Sequence, residues 1–243
     1  MKTWRATAWR LLALLALSFL ALQGFWLLRI GTMTVIDPQS TSFERSEAWR
    51  LITEKHRLNW SQAWRSYPAI SDQLKRAVIA SEDAGFTDHS GIEWDAIEKA
   101  WTRNQKAEAR AATAASRRGP PKIFGGSTIT QQLAKNLFLS GERSVLRKAQ
   151  EALITLMLEA VLDKQRILEI YLNHVEWGEG VFGAQAAAQH HFRTEAARLQ
   201  SAQAARLAVM LPAPKRFEKQ PTSAYLVGRS TTVMARMSAV DLP

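Results

Sequence analysis

The sequence predicts a mainly α-helical domain carried behind one transmembrane helix. Three observations predict it: an uninterrupted apolar run near the N-terminus, apolar residues at helical spacing in six later segments, and an almost complete lack of alternating strand patterns. With 243 residues the chain has room for one sizeable domain plus an appendage. Its 47% hydrophobic and 22% charged residues exclude wholesale disorder and a multi-spanning membrane protein. Cysteine is absent, so disulfide scaffolds, thiol nucleophiles and cysteine zinc sites are excluded, while the redox compartment stays open. The 32 basic against 22 acidic residues give a net charge of +10, which calls for an anionic partner: nucleic acid, anionic lipid or a phosphorylated substrate.

Residues 11–30 carry a single charge, Arg29 at the edge, and 20 helical residues cross about 30 Å of hydrocarbon. Ser18, Gln23 and Gly24 draw no continuous polar stripe, so the segment is expected to span a membrane rather than a protein core. Lys2, Arg5 and Arg10 place residues 1–10 in the cytoplasm and everything after Gly31 outside it. Trp26, Leu27 and Leu28 continue the run where a cleavage site would need small residues, so the helix is expected to remain as an anchor. Setting aside Lys2, Arg5, Arg10 and Arg29 still leaves a surplus of positive charge. A basic domain held at a membrane favours an anionic, lipid-borne partner over nucleic acid.

Residues 31–70 are mixed and rich in tryptophan (Trp49, Trp60, Trp64), which suits a linker and a membrane-proximal segment. Beyond Ser71, a ready N-cap, the apolar spacing of Leu74, Ala77 and Val78 predicts a helix. Further helices are expected over 127–138, 145–162, 164–173, 183–192 and 201–211, the last stopped by Pro212. The main domain is expected over 71–220, with a helical end over 221–243. Within the main domain, residues 104–122 are alanine-rich, basic and closed by two prolines. They read either as a solvated insertion or as a flap beside a cleft.

Four features carry chemistry. Glu82 lies four residues after Val78 and eight after Leu74, on the inward side of its helix, where burial would raise its pKa toward that of a general base; a solvated cap is the plain alternative. Asp83 follows it in EDAGFTDHSG. The segment GGSTITQQLAKN gathers hydroxyls, amides and a lysine at a helix start, with Ser127 as the expected cap, and reads as an anion site or as an ordinary capped helix. On the apolar helix VLRKAQEALITLMLEAVL, Arg147, Glu151, Thr155 and Glu159 recur every fourth residue. That stripe is either an ion-pair network or a cleft wall. The five histidines, His56, His89, His174, His190 and His191, show no metal-ligand spacing, and His89 is expected to bond a local turn. Neither a Walker loop nor a GxSxG elbow is present.

In order, EDAGFTDHSG (82–91), GGSTITQQLAKNLFL (125–139), RKAQE (147–151), KQRILEIYLN (164–173) and GVFGAQAAA (180–188) resemble the five motifs of the peptidoglycan glycosyltransferases. With one anchor and no space for a transpeptidase domain, the chain is similar to the monofunctional members of that family. The resemblance covers residues from about 71 to 217. It implies a lysozyme-like helical lobe with a smaller membrane-proximal jaw. It also implies the reaction, polymerisation of lipid II into β-1,4 glycan with inversion and release of undecaprenyl diphosphate.

By the same resemblance Glu82 is the base that deprotonates the acceptor hydroxyl, and Glu151 is a second carboxylate that positions substrate or cations. Lys135 and Arg143 match the cations that bind the diphosphate. Ser127, Thr128, Gln132 and Asn136 are expected to line the cleft, Arg147 and Lys148 to hold carboxylates and phosphates, and Asp83, Phe86 and His89 to shape the loop around Glu82. Arg110, Arg117 and Arg118 are expected to meet lipid-phosphate headgroups. No obligatory cofactor or metal is expected, with a divalent cation as a possible stimulant that bridges the diphosphate. Partners implied are the glycan strand, the inner membrane, penicillin-binding proteins and the division machinery, with the domain in the periplasm. Two rival readings are a lytic transglycosylase, for which the cations would be dispensable, and a non-enzymatic anchored scaffold, for which Glu82 would be.

Overall fold

The computed structural model describes residues 2–95, 98, 102, 105, 126–142 and 144–243. Arg143, Gly125 and the stretch 106–122 with Arg110, Arg117 and Arg118 lie outside the described residues. The chain is mostly helical, and among the described residues the one helix long and apolar enough to cross a membrane is α1 (Lys2–Thr32), about 45 Å long. Residues 11–22 are all exposed and, apart from Ser18, are leucine, alanine and phenylalanine. The last three turns of α1 dock on the domain through Gln23, Trp26, Ile30 and Met33, a face spaced by three and four residues. Gln23 and Gln150 exchange amide hydrogen bonds of 3.1 and 3.0 Å, and Trp26 packs on Phe138 with ring centroids 4.9 Å apart. The apolar run therefore ends as part of the folded domain.

Helix α2 (Ser42–Lys55) occupies part of the segment 31–70, expected as a linker and membrane-proximal segment. Thr41 and Glu44 form a reciprocal capping box there, and Glu44 also reaches His174 at 2.7 Å and accepts from Gln62 at 2.7 Å. One buried carboxylate thus caps a helix and ties it to the rest of the fold. Three two- and three-residue strands, β1 (Ser61–Gln62), β2 (Glu176–Gly178) and β3 (Val181–Phe182), make a small sheet in the order β1-β3-β2, parallel then antiparallel. At its hairpin Gly180 holds φ +74°, where a Cβ would sit 2.0 Å from the Asn59 carbonyl oxygen.

The main lobe has two halves. Helices α3 (Asp72–Glu82), α8 (Ser201–Met210) and α10 (Ala224–Met237) pack on one another, so the C-terminal helix belongs to the core. Helices α4 (Ile129–Phe138), α5 (Val145–Val161) and α6 (Lys164–His174) form the other half, with α4 between α5 and α6 and also against α2. Residues 167–174 of α6 are all buried, and its polar members stitch the preceding chain to it: Glu169 accepts from the Tyr67 amide and Asn173 bonds both backbone groups of Arg65. Helices α7 (Gly183–Phe192) and α9 (Pro214–Glu218) complete the lobe.

A buried ionic cluster fixes α2 against β2 and α9. Lys215 bridges Glu47 at 2.6 Å and Glu176 at 3.2 Å, while Arg50 meets Glu47 at 2.6 Å and Glu179 at 2.9 Å. Burial pushes the Glu176 carboxyl up to about 7 despite Lys215, and Glu47 adds to the rise. The folded chain thus binds this proton more tightly than the unfolded chain. The associated stability is complete below the unfolded pKa near 4.5 and is lost as pH climbs through 7. Glu176→Gln is therefore expected to leave the melting temperature at pH 4 to 4.5 nearly unchanged and to stabilise the protein at pH 8 by about 1–3 kcal/mol. A melting series across that range checks it, and a gain independent of pH would refute it.

Candidate active site

Asp83 is where the site begins. Helix α3 ends at Glu82 because Asp83 leaves helical geometry (φ −162°), and its buried carboxylate then serves two distant groups. One oxygen accepts the Ile129 amide at the start of α4 (2.9 Å) and the other meets His89 Nε2 (2.8 Å). His89 Nδ1 accepts from the Gly91 amide at 3.0 Å, so the ring carries its hydrogen on Nε2 and donates it to Asp83.

The loop 83–91 is pinned from three further sides. Thr128 caps α4, taking the Gln131 amide on its hydroxyl oxygen and donating to the Gly91 carbonyl at 2.6 Å. Gly91 has φ +83°, and a Cβ there would lie 2.7 Å from both Thr155 and Glu159. Lys164 donates to the His89 carbonyl (2.6 Å) and to Glu159 (2.9 Å) while standing 4.6 Å over the Phe86 ring; Thr130 also donates to Glu159 (2.5 Å).

Pinned this way, α3 presents Glu82 to α4. Gln132 Nε2 donates to Glu82 Oε2 at 3.1 Å, Ser81 donates weakly at 3.4 Å, and the Tyr171 hydroxyl donates to Gln132 Oε1 at 3.0 Å. Burial raises the Glu82 pKa above the ordinary carboxylate range; the donors from Gln132 and Ser81 and the charge of Arg229 oppose it, and Asp83 reinforces it. A half-buried carboxylate of raised proton affinity is suited to accept a proton from an alcohol.

Gln132, Lys135 and Asn136 share one face of α4, so Lys135 and Asn136 stand one turn, about 5.4 Å, beyond the glutamine that touches Glu82. They line a cavity of about 590 Å³ whose other walls are Arg147 of α5, the loop at Gly141 and Glu142, and Ser42, Phe43 and Ser46 of α2. Burial lowers the Lys135 pKa; Glu151 opposes that, while Arg147 and Lys148 add to it. Glu151, itself buried, binds Arg147 at 2.6 Å and also Lys148, which reaches Ser127 Oγ at 3.4 Å. Lys135 forms no direct ion pair among the described residues; it and Arg147 line the cavity with Glu142 at the rim, while Lys148 holds the same Glu151 from outside that lining. Such a cavity is prepared for a multiply charged anion.

Several expectations change. Thr128, not Ser127, caps α4, because Thr128 has the extended backbone a cap requires; its hydroxyl is buried and committed to the loop, so it does not line the cleft, and Ser127 is the exposed member. The polar stripe of α5 is an ion-pair network in which only Arg147 also lines the cavity: Arg147 holds Glu151, Thr155 bonds the Glu151 carbonyl, and Glu159 holds Thr130 and Lys164. Phe86 is fully buried beneath the loop. Lys164, Tyr171 and the α2 wall were not anticipated. Thr41 with Glu44 three residues on was a readable helix start, and Tyr171 lies seven residues after Lys164 on the same face of α6. Asp83, His89 and Glu93 place potential ligand atoms within 4.8 Å of one another, but Asp83 and His89 are engaged with each other and with backbone amides.

A family model described as Transglycosylase matches residues 50–238. A protein of Paraburkholderia xenovorans named biosynthetic peptidoglycan transglycosylase is 51% identical over 231 residues, 95% of this chain and 91% of its own length. Proteins of the same name from Burkholderia thailandensis and Bordetella pertussis are 51% and 52% identical, over 93% and 85% of this chain and 84% and 82% of their own lengths.

Asp83→Ala leaves the Ile129 amide and the His89 imidazole without their buried acceptor. It is expected to cost about 2–4 kcal/mol of stability, with Asp83→Asn between it and wild type. Denaturant melts of the three proteins measure this; equal midpoints would show that the loop is held elsewhere.

Proposed function

The chain belongs to the transglycosylase family, and from that premise we propose how its residues polymerise the glycan of peptidoglycan. The substrate is lipid II, in which an α-linked sugar leaves as a prenyl diphosphate. Since the product bond is β, one direct displacement with inversion suffices, and it needs one proton acceptor and one clamp for the leaving group.

Glu82 takes the proton of the acceptor 4-hydroxyl as that oxygen attacks the donor C1. Lys135 and Arg147, with Arg143 by resemblance, neutralise the charge that grows on the departing diphosphate, an interaction that strengthens in the transition state. Asn136 and Ser127 contribute hydrogen bonds to the bound chain, and Glu151 holds Arg147 and Lys148 in place rather than moving a proton. The observation that carries this reading is the shared face of α4, which sets the glutamine bonded to Glu82 one turn from the lysine of the cation-rich cavity. The partly buried Lys135 lacks a direct carboxylate partner among the described residues and so has most to gain from a phosphate.

The apolar α1, with Lys2, Arg5 and Arg10 ahead of its core, supports a single-pass anchor in the inner membrane with the domain in the periplasm. Its docked last turns would hold the cavity close to the bilayer that carries the substrate. Penicillin-binding proteins and the division machinery are the proposed partners. A divalent cation, if bound beside the substrate, would supply further positive charge to the departing diphosphate.

Glu82→Gln is expected to lower polymerisation of lipid II by about 10²–10⁴-fold while binding of lipid II stays within a few-fold. Lys135→Met is expected to lower kcat/KM by about 10²-fold or more. Gel separation of glycan products from labelled lipid II, paired with binding assays, reads both; undiminished polymer from Glu82→Gln would defeat the assignment.

A further inference from the structure

Tyr171 is a buried hydroxyl that the reaction as described above does not use. It sits within LEIYLN on α6, is 1% exposed, and its Oη lies 3.0 Å from Gln132 Oε1. A phenol in a dry core must hand its one hydrogen to an acceptor, and among the described residues the acceptor it meets is that amide oxygen. On the opposite side of the same amide, Nε2 donates to Glu82. The three groups form a directed chain, O–H to O=C–N–H to carboxylate.

The direction has a consequence for the proton. A carboxylate accepts only donors, so an ionised Glu82 by itself selects the amide orientation with Nε2 toward it. A protonated Glu82 exerts no such selection, because its own O–H could donate to a flipped amide oxygen. Without a fixed partner on its far side, Gln132 would follow the protonation state of Glu82 and stabilise both forms. Tyr171 removes that freedom: with Oε1 held by the phenol, the amide offers Glu82 a donor in either state, and a donor favours the charged form.

We propose that Tyr171 is a positioning residue for the reaction, its phenolic O–H locking the Gln132 amide so that Nε2–H always faces the Glu82 carboxylate. The inference rests on the reading of Glu82 as proton acceptor and extends it to the device that sets its proton affinity. Other groups facing Glu82 are Ser81 on α3, Asp83 just past its end and Arg229 on α10; none of them hydrogen-bonds the Gln132 amide. The phenol keeps its hydrogen throughout the working range, because burial and the charges of Glu82 and Asp83 push its pKa well above the ordinary tyrosine value.

Removing the lock weakens stabilisation of the carboxylate, so the Glu82 pKa rises further and the acid limb of activity moves to higher pH. In full-length Tyr171→Phe, initial rates of lipid II polymerisation should show that limb displaced upward by about half a pH unit. The rate on the limb then falls roughly threefold further while the alkaline plateau stays within about twofold of wild type. Lipid II affinity should not change. A loss by the same factor at every pH, with an unmoved limb, would make Tyr171 a packing residue only and overturn the proposal.

Should Tyr171→Phe fail to fold, biosynthetic replacement of tyrosine by 3-fluorotyrosine keeps the shape and strengthens the donor. The limb should then move the opposite way, to lower pH, and an unchanged or upward limb would contradict the proposal. The carboxyl resonance of Glu82, assigned in ¹³C-glutamate spectra by its loss in Glu82→Gln, titrates without turnover. Polymerisation by Glu82→Gln would overturn the role of Glu82, whereas an identical Glu82 titration in wild type and Tyr171→Phe would overturn the role of Tyr171 alone.

Discussion

The buried carboxylate of Asp83 is the constraint on which the site depends. It stands at the end of α3, at the start of α4 and inside the 83–91 loop at once, because its two oxygens each take a hydrogen from a different segment. A buried carboxylate must be fully satisfied to be tolerated, and here the groups that satisfy it are those that need alignment. Glu82 is the residue before it, so whatever fixes Asp83 also fixes where Glu82 points. Thr128, Gly91, Glu159 and Lys164 then over-determine the same loop from α4, α5 and α6. The Glu82 carboxylate, the proposed proton acceptor, is thereby held on rigid helical ends, as positioning on the scale of tenths of an ångström requires.

The second half of the site obeys the opposite electrostatic rule. Asp83 is balanced by its donors, whereas Lys135, Arg147 and Lys148 gather around one buried glutamate and leave positive charge in excess. Such an arrangement costs stability in the empty protein and recovers it when an anion arrives. The packing of α1 places it: the amide pair of Gln23 and Gln150 and the tilted contact of Trp26 with Phe138 join the apolar helix to α5 and α4, two of the three helices whose residues wall the cavity. A diphosphate on a membrane-bound lipid would enter close to where that helix leaves the apolar layer.

Much of this was readable before any coordinates. Ser71 and the spacing of Leu74, Ala77 and Val78 placed α3 and turned Glu82 inward. Helix 183–192 coincides with its expected bounds, and those over 145–162, 164–173 and 201–211 agree within a residue, because the apolar spacing acts locally and, at Ser144 and Asp163, so does the cap. What escaped depends on distance along the chain. Ser127 and Thr128 are equivalent caps until Gly91, 37 residues away, selects the threonine. The stripe on α5 could not be divided into network and wall without knowing that Lys164 and Thr130 take Glu159 while Arg147 reaches the cavity. Strands of two or three residues carry too little pattern to detect, and the link between Tyr171 and Gln132 spans 39 positions. Helix α2 was a different case: Thr41 and Glu44 announced it, but the residues it buries are Glu44, Glu47 and Leu51, so no apolar period marks its inner face.

The central claim, that one face of α4 sets a proton acceptor and a diphosphate clamp one helical turn apart, is most directly tested by a structure of full-length Glu82→Gln with lipid II bound. The account predicts diphosphate oxygens within hydrogen-bond reach of Lys135 and Arg147 in the cavity beside α2, and a sugar 4-hydroxyl against the side chain at position 82. A diphosphate seated away from Lys135, or no sugar hydroxyl near position 82 while the cavity is occupied, would contradict it.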